Sequence, residues 1–334
     1  MKVLLYTEFA SLNGKSGLGK AIQHQMKALE DNHIEYSTDP KCRDYDIIHI
    51  NFYGPKSYYM AKKAKKQGKK VIYHAHSTEE DFRNSFIFSN QIAPLFKKWI
   101  CKCYRLGDHI LTPTEYSKKI LETYHLNRPI TAISNGIDMS FFERNEENGK
   151  KFRQDFGYKK TDKVIMGVGL YMERKGILTF VELAKRLPQY KFIWFGYMPL
   201  TFAPKRVKKA VRTKLDNLVF AGYVEPGVLR SAYSGADLYI FPTLEETEGI
   251  PILEALTEKI PTLVSNIPIF DFLEEGKHVY KATSIDEYEQ KTVAILEGKL
   301  PSLVEEGYKM VESREIKRAG KQLANLYYQV LEEK

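Results

Sequence analysis

The chain has 334 residues, of which 43% are hydrophobic and 13% aromatic, and carries a formal charge of +9. That is enough for two globular cores of ordinary size, and no stretch approaches the roughly 18 consecutive apolar residues of a membrane-spanning helix. Residues 1–134 hold 21 Lys and Arg against 13 Asp and Glu, so the excess sits in the first two fifths and implies an anionic partner for that half.

The apolar run in MKVLLYTEF is too short for a secretory leader and passes directly into Glu8, so it reads as a first strand, and we expect a cytoplasmic chain. A glycine-bearing loop, SLNGKSGLGK, and a helical pattern through Ile22, Met26 and Leu29 follow. Gly14, Gly17 and Gly19 fit neither G-x-G-x-x-G nor the P-loop spacing, which leaves a tight turn and a ligand loop both open. The strand-like runs YDIIHINF, KKVIYHAHS, DHILTPT and ITAISNG then alternate with helical stretches, the signature of an α/β doubly wound parallel sheet. Asp44-Tyr45-Asp46 has the D-x-D spacing of some metal sites but precedes its strand, where a structural role is expected. His74 and His76 close the run KKVIYHAH ahead of Glu79, Glu80 and Asp81. Further metal ligands are not evident, so a hydrogen-bonding or proton-handling histidine is expected. Cys42, Cys101 and Cys103 make neither a disulfide framework nor a zinc set.

Residues 56–70 and 93–105 mix basic and aromatic side chains at helical spacing. In the second stretch Phe96, Trp99, Ile100 and Cys103 share a face flanked by Lys97, Lys98, Lys102 and Arg105. We expect insertion at an anionic lipid surface, with Phe96 and Trp99 as the apolar pair and Lys97, Lys98 and Lys102 as the charges; the alternative is a core-facing helix with solvated lysines. No nucleic-acid module accompanies the charge. After the polar segment NEENGKKFRQ the alternation restarts at KVIMGVGLY, YKFIWFGY, LVFAGY, DLYIFPT and PTLVSNI, giving a second α/β domain, and the sequence ends in one long amphipathic helix.

Within the second domain, FPTLEETEGIPILEAL is a strand-to-helix crossing of the kind that lies at the carboxyl edge of a parallel sheet, where such sheets bind ligands. Glu246 and Glu254 stand eight positions apart, one in the loop and one on the helix. A carboxylate accepts two hydrogen bonds from vicinal hydroxyls, so the pair suits a ligand with a sugar at each end and phosphates between; on the pattern alone, two solvated glutamates remain the alternative. Gly249 would let backbone approach such a ligand closely.

The E-x7-E pair, with Pro242 and Gly249, resembles the retaining GT-B glycosyltransferases of family 4, and the likeness runs over nearly the whole chain. Gly169 to Gly176 is similar to the family's G-R-x3-E-K-G phosphate loop, with Lys175 matched, Leu170 in place of the arginine and Arg174 beside it. Asn135-Gly136-Ile137-Asp138 resembles the family's hinge segment, Ser16-Gly17-Leu18-Gly19 its first loop, and His76 its cleft histidine. NGKSGLGKAIQHQ and HSTEEDFRNSFIFSN resemble the short bacterial enzymes that extend glycosyl-diacylglycerols.

The resemblance implies two Rossmann-like domains facing across a cleft, residues 1–138 for acceptor and membrane and residues 139–312 for nucleotide sugar, with residues 313–334 crossing back to the first. It implies that Glu246 orients the donor sugar, that Glu254 holds the ribose, and that Gly17, Gly169, Arg174, Lys175, Gly249 and Ile250 line the donor site, with Glu246, His76 and Lys175 as the catalytic set. UDP-glucose or UDP-galactose would supply a hexose to monoglucosyl-diacylglycerol at the cytoplasmic membrane face, with retention, giving the dihexosyl-diacylglycerol anchor of lipoteichoic acid. No tightly bound cofactor and no obligatory metal are implied. The rival readings are transfer to diacylglycerol itself or to a soluble, polysaccharide or protein acceptor, and a non-catalytic binding module, which Leu170 favours and the retained Glu246, Glu254 and Lys175 oppose.

Overall fold

The structure, a computed structural model, describes residues 1–8 and 17–332; Gly14 and Ser16 of the first loop lie outside the described residues. The chain divides into two compact units, one of residues 1–82, 91–138 and 314–334 and the other of residues 83–90 and 139–313.

In the first unit the chain runs β1 (Lys2–Tyr6), α1 (Gly17–Asp31), β2 (Glu35–Ser37), β3 (Ile47–Ile50), α2 (Pro55–Lys66), β4 (Lys70–His74), α3 (Glu79–Phe82), α4 (Ser89–Tyr104), β5 (His109–Thr112), α5 (Glu115–Glu122) and β6 (Ile130–Ala132). The sheet is parallel in the order β2-β1-β3-β4-β5-β6, so the winding reverses at β1. Its central strands are buried on both faces because helices cover both, as parallel sheets require. The C-terminal helix Ile316–Glu332 supplies part of that cover: Leu323, Ala324, Leu326, Tyr327 and Val330 pack with Leu29 of α1 and with Val3, Ile47, Ile72 and Leu111 of the strands. It enters through Ile137, which bridges Glu315 in parallel, and Gly136 lets it close: a Cβ there would stand 3.0 Å from the Ile316 Cα. Asp46 accepts from the Lys2 amide at 2.8 Å, and Asp44 lies 3.5 Å from the Lys2 ammonium. The D-x-D carboxylates thus secure the start of β1.

The second unit runs α6 (Glu146–Asp155), β7 (Val164–Val168), α7 (Ile177–Arg186), β8 (Lys191–Phe195), α8 (Lys205–Val211), β9 (Leu218–Gly222), α9 (Pro226–Gly235), β10 (Leu238–Phe241), α10 (Ile250–Thr257), β11 (Thr262–Ser265), β12 (Tyr280–Ala282), α11 (Ile285–Leu296) and α12 (Val304–Glu312). Its parallel sheet has the order β12-β11-β10-β7-β8-β9, so the winding reverses between β7 and β10. Open α/β sheets bind ligands in the crevice that such a reversal leaves outside the strands' carboxyl ends.

Just past the end of α10 the unit buries a carboxylate. Glu258 is inaccessible to solvent, accepts from the Ser234 hydroxyl at 2.6 Å and leaves Oε1 without a protein partner among the described residues. Burial pushes its pKa up to about 7, against the pull of Ser234, Arg144 and Arg230. The native state therefore keeps a proton that the unfolded chain, titrating near 4.5, has released, and stability falls as pH rises from about 4.5 to about 7. Glu258→Gln keeps the shape and removes the charge. We expect it to be about 1–2 kcal/mol more stable than the parent at pH 8, with the two converging at pH 4.5. Urea melts at both pH values check this, and a constant difference would mean that Glu258 does not titrate in the native state.

Candidate active site

The loops after β7 and β10 meet at the winding reversal of the second unit. Trp194 of β8 is fully buried and donates from Nε1 to the Gly169 carbonyl at 2.8 Å, fixing the start of the first loop. Its end is fixed by Gly176, whose φ of +76° opens α7 and where a Cβ would stand 1.9 Å from the Pro242 carbonyl oxygen. The two loops are also joined through the Arg174 carbonyl, which accepts from the Leu244 amide at 2.7 Å and lies 2.9 Å from the Thr243 hydroxyl. Leu170, standing where the resemblance has an arginine, packs against the core.

Glu246 is drawn into this junction. It is 6% exposed, with Lys175 Nζ at 2.5 Å from Oε1, Thr243 Oγ1 at 2.9 Å from the same oxygen and Arg174 Nη1 at 3.7 Å from Oε2. Burial alone would raise the carboxyl pKa, but the Lys175 and Arg174 charges outweigh it and hold the group below the usual range. Glu246 is therefore an ionised hydrogen-bond acceptor, not an acid. Arg174 also donates to the Glu245 carbonyl at 2.9 Å and to Ser85 Oγ at 3.2 Å, and its amide donates to Asn84 O at 3.0 Å. Ser85 and Asn84 lie in the short segment that joins the second unit from afar in sequence, and nothing in the residue pattern announced them.

Gly249, with φ +83°, caps α10, and Ile250 begins it, buried. Glu254 on that helix has no exposed surface and accepts from the Tyr233 hydroxyl at 3.0 Å, so in this state its carboxylate is used by the fold. Among the described residues no group of three or more His, Cys, Asp and Glu is placed to hold a metal ion.

In the first unit, Gly17 is exposed at the start of α1. Asp138 pairs with Lys27, and the Gly136 carbonyl lies 2.8 Å from His24 Nδ1. His76 lies beyond β4, its Nε2 2.9 Å from Asn51 Oδ1 and its ring stacked on His74 at 3.8 Å. The carboxylates that follow serve the local fold: Asp81 accepts from the Thr78 amide at 2.7 Å, Glu80 from Tyr124 OH at 2.5 Å, and Glu79 pairs with Lys97 at 3.3 Å.

On α4 the face predicted from spacing is turned inward. Phe96 stacks on Phe82 at 4.0 Å, Trp99 donates from Nε1 to the Tyr53 carbonyl at 2.6 Å, and Ile100 and Cys103 are fully buried. Lys97 lies 4.1 Å above the Tyr124 ring. This corrects the assignment of Phe96 and Trp99 as the outward apolar pair: both are half-buried and pack against the core, because helices of a parallel sheet must cover its strands. The apolar side chains that α4 leaves in solvent are Ile92, 40% exposed, and Leu95, 65% exposed, beside exposed Lys98, Lys102 and Arg105. On α2, exposed Lys56, Tyr59, Lys62 and Lys66 make a similar stripe. No helix among the described residues is long and apolar enough to cross a membrane.

A Glycosyltransferase Family 4 domain matches residues 32–141, and a domain described as Glycosyl transferases group 1 matches residues 162–298. The chain is 42% identical over 335 residues to the processive diacylglycerol alpha-glucosyltransferase of Acholeplasma laidlawii, covering 99% of each chain. It is 26% identical over 291 residues to the alpha-galactosylglucosyldiacylglycerol synthase of Streptococcus pneumoniae, covering 85% of this chain and 76% of that one. Anabaena HepE, solved in complex with UDP and glucose, has the same fold at a TM-score of 0.75 and 16% identity, over 98% of this chain and 99% of that one. The chain belongs to glycosyltransferase family 4, with the GT-B fold, alongside the glycosyl-diacylglycerol glycosyltransferases.

Proposed function

We propose that the protein transfers a hexose from UDP-glucose or UDP-galactose to monoglucosyl-diacylglycerol at the cytoplasmic face of the membrane, with retention of configuration. The observation that carries the donor half is the buried, ionised Glu246 held between Lys175 and Arg174 at the winding reversal of the second unit. A nucleotide sugar brings a diphosphate, whose charge Lys175 and Arg174 would neutralise beside the first turn of α7, and a hexose, whose hydroxyls Glu246 would accept. As the anomeric bond loosens, positive charge grows on the sugar and negative charge on the diphosphate. An anionic Glu246 and a cationic Lys175 oppose those charges in the right sense. Arg174 takes the place of the cation that Leu170 does not supply, and no step requires a metal. Glu254 would meet the ribose, at the cost of its present contact with Tyr233. His76 would accept a sugar hydroxyl.

For the acceptor, the support is the Acholeplasma relative, named for α-glucosyl transfer to diacylglycerol. Its α product, from a donor whose own anomeric bond is α, also favours retention. Because that name includes diacylglycerol itself, transfer to unglycosylated diacylglycerol is the second reading. Incubation with radiolabelled UDP-glucose or UDP-galactose and either lipid in anionic micelles separates the two. Label in neither lipid fraction would defeat both.

Two expectations follow from the site. Glu246→Gln should lower kcat about a hundredfold while leaving UDP affinity nearly intact, because its contact is with the sugar that changes charge. Glu254→Gln should weaken UDP binding about tenfold, the loss of one well-formed hydrogen bond to a charged acceptor. Titration calorimetry decides the second: unchanged UDP affinity would leave Glu254 a structural residue bonded to Tyr233.

The exposed stripe on α4 provides a surface for anionic lipid in the charge-rich unit. Each interfacial Lys or Arg contributes about 1 kcal/mol, screened over a Debye length of about 8 Å at physiological ionic strength. Replacing Leu95, Lys98 and Lys102 together with Ser should reduce co-sedimentation with phosphatidylglycerol vesicles at least tenfold and leave UDP binding unchanged. Lys97 is spared because it braces Glu79 and Tyr124. Equal binding of variant and parent would place the lipid surface elsewhere.

A further inference from the structure

Six side chains in the first unit form one polar chain, of which only His74 and His76 were marked by the residue pattern. Tyr327 of the C-terminal helix has its hydroxyl 2.6 Å from His49 Nδ1, and His49 Nε2 is 3.1 Å from His74 Nδ1. Gln25 Nε2 lies 3.0 Å from that same nitrogen and 2.9 Å from Asn51 Oδ1, which is also 2.9 Å from His76 Nε2. Gln25, His49, Asn51 and His74 are buried, and Tyr327 is fully so.

The direction of each hydrogen bond follows from the donor inventory. An amide nitrogen only donates, so Gln25 gives one proton to Asn51 Oδ1 and the other to His74 Nδ1, which must be a bare lone pair. A second lone pair aimed at that nitrogen would repel, so His49 meets it with Nε2–H. His49 Nδ1 is then bare and accepts from the Tyr327 hydroxyl. At the other end Asn51 Oδ1, an acceptor, draws a proton onto His76 Nε2. The rings are neutral: burial holds His49 and His76 down to about 3 and His74 well below its ordinary value, and the repulsion that neighbouring imidazolium rings would feel adds to the effect on His49 and His74. His74 Nε2 and Asn51 Nδ2 have no protein partner among the described residues, a cost that packing alone does not explain.

We infer that this chain fixes His76 as the Nε2–H tautomer, with Nδ1 left as a hydrogen-bond acceptor, and that Tyr327, His49, His74 and Gln25 are positioning residues for it. The two nitrogens of a histidine are distinct, and the partner of one decides the role of the other. Here the partner is Asn51, and stacking on His74 at 3.8 Å and 14° sets the plane of the ring. A neutral acceptor suits a sugar hydroxyl. The tautomer assignment stands on the hydrogen-bond geometry and the neutrality of the rings; only its consequence for turnover rests on the sugar contact proposed above.

The test uses the full chain labelled with 15N in its imidazoles and long-range proton–nitrogen spectra, which distinguish a protonated ring nitrogen from a bare one. The parent should show Nε2–H at His49, His74 and His76. Gln25→Glu puts an acceptor of the same shape against His74 Nδ1 and Asn51; the His74 proton should move to Nδ1 and drive the His49 proton from Nε2 to Nδ1, the His76 nitrogen signals should shift, and kcat should fall about tenfold. Tyr327→Phe should shift the His49 Nδ1 signal and lower kcat by a smaller factor, with melting by circular dichroism confirming that it folds. A proton on His76 Nδ1 in the parent, or His74 and His76 signals that stay in place in Gln25→Glu, would overturn the inference. Full turnover by His76→Ala would remove the sugar-contact reading instead, independently of the spectrum that decides the tautomer.

Discussion

The ion pair between Lys175 and Glu246 is the contact on which the candidate site of the second unit depends. Its partners come from loops 71 residues apart that are neighbours because the sheet reverses its winding between β7 and β10. Neither charge would be tolerated alone at this depth. Burial penalises the carboxylate, and the two cations more than repay that penalty. The backbone holds the geometry rigid: Gly176 sits where Pro242 leaves no room for a Cβ, and the Arg174 carbonyl ties the loops together. A diphosphate arriving here would meet cations already collected, though engaged, so it competes for Lys175 with Glu246. A site of this kind is preorganised but not idle.

Much of this was legible from residue order. Parallel strands buried on both faces write themselves as apolar runs, and the spacing between runs exposes the βαβ alternation; the E-x7-E pair and the lysine of the phosphate loop were visible as motifs. The partners of Glu246 were less so. Thr243 is an unremarkable residue in a loop, and Ser85 and Asn84 reach Arg174 from a segment some 90 residues earlier. Local pattern carries no information about which distant loop will supply a hydroxyl. The same limit hid Glu258, which in sequence is one more polar residue near a helix end and in the fold is a buried carboxylate held by Ser234.

The helix α4 shows a different failure. Its amphipathic pattern correctly announced two faces, but hydrophobicity does not say which apolar residues meet the core and which meet solvent. Phe96 and Trp99 were the larger side chains and lie inward, where an indole N–H finds the Tyr53 carbonyl. Leu95, at the margin of that face, and Ile92, on the same face but near the start of the helix, remained in water. Large aromatics on a helix covering a parallel sheet have more buried area to gain by turning inward, so size argued for the core and charge alone marked the exposed face.

The two units also differ in how they handle protons and charge. In the second, the carboxylate is kept ionised by fixed cations, suited to a leaving group that carries charge. In the first, three histidines are kept neutral by burial and ordered by donors and acceptors, suited to hydroxyls that do not. Burial drives the titratable groups toward neutrality in both. What separates them is whether a cation lies within reach: Lys175 and Arg174 beside Glu246, against amides and a phenol beside the histidines. Charge remains where an opposite charge meets it, and elsewhere the chain uses the direction of its hydrogen bonds.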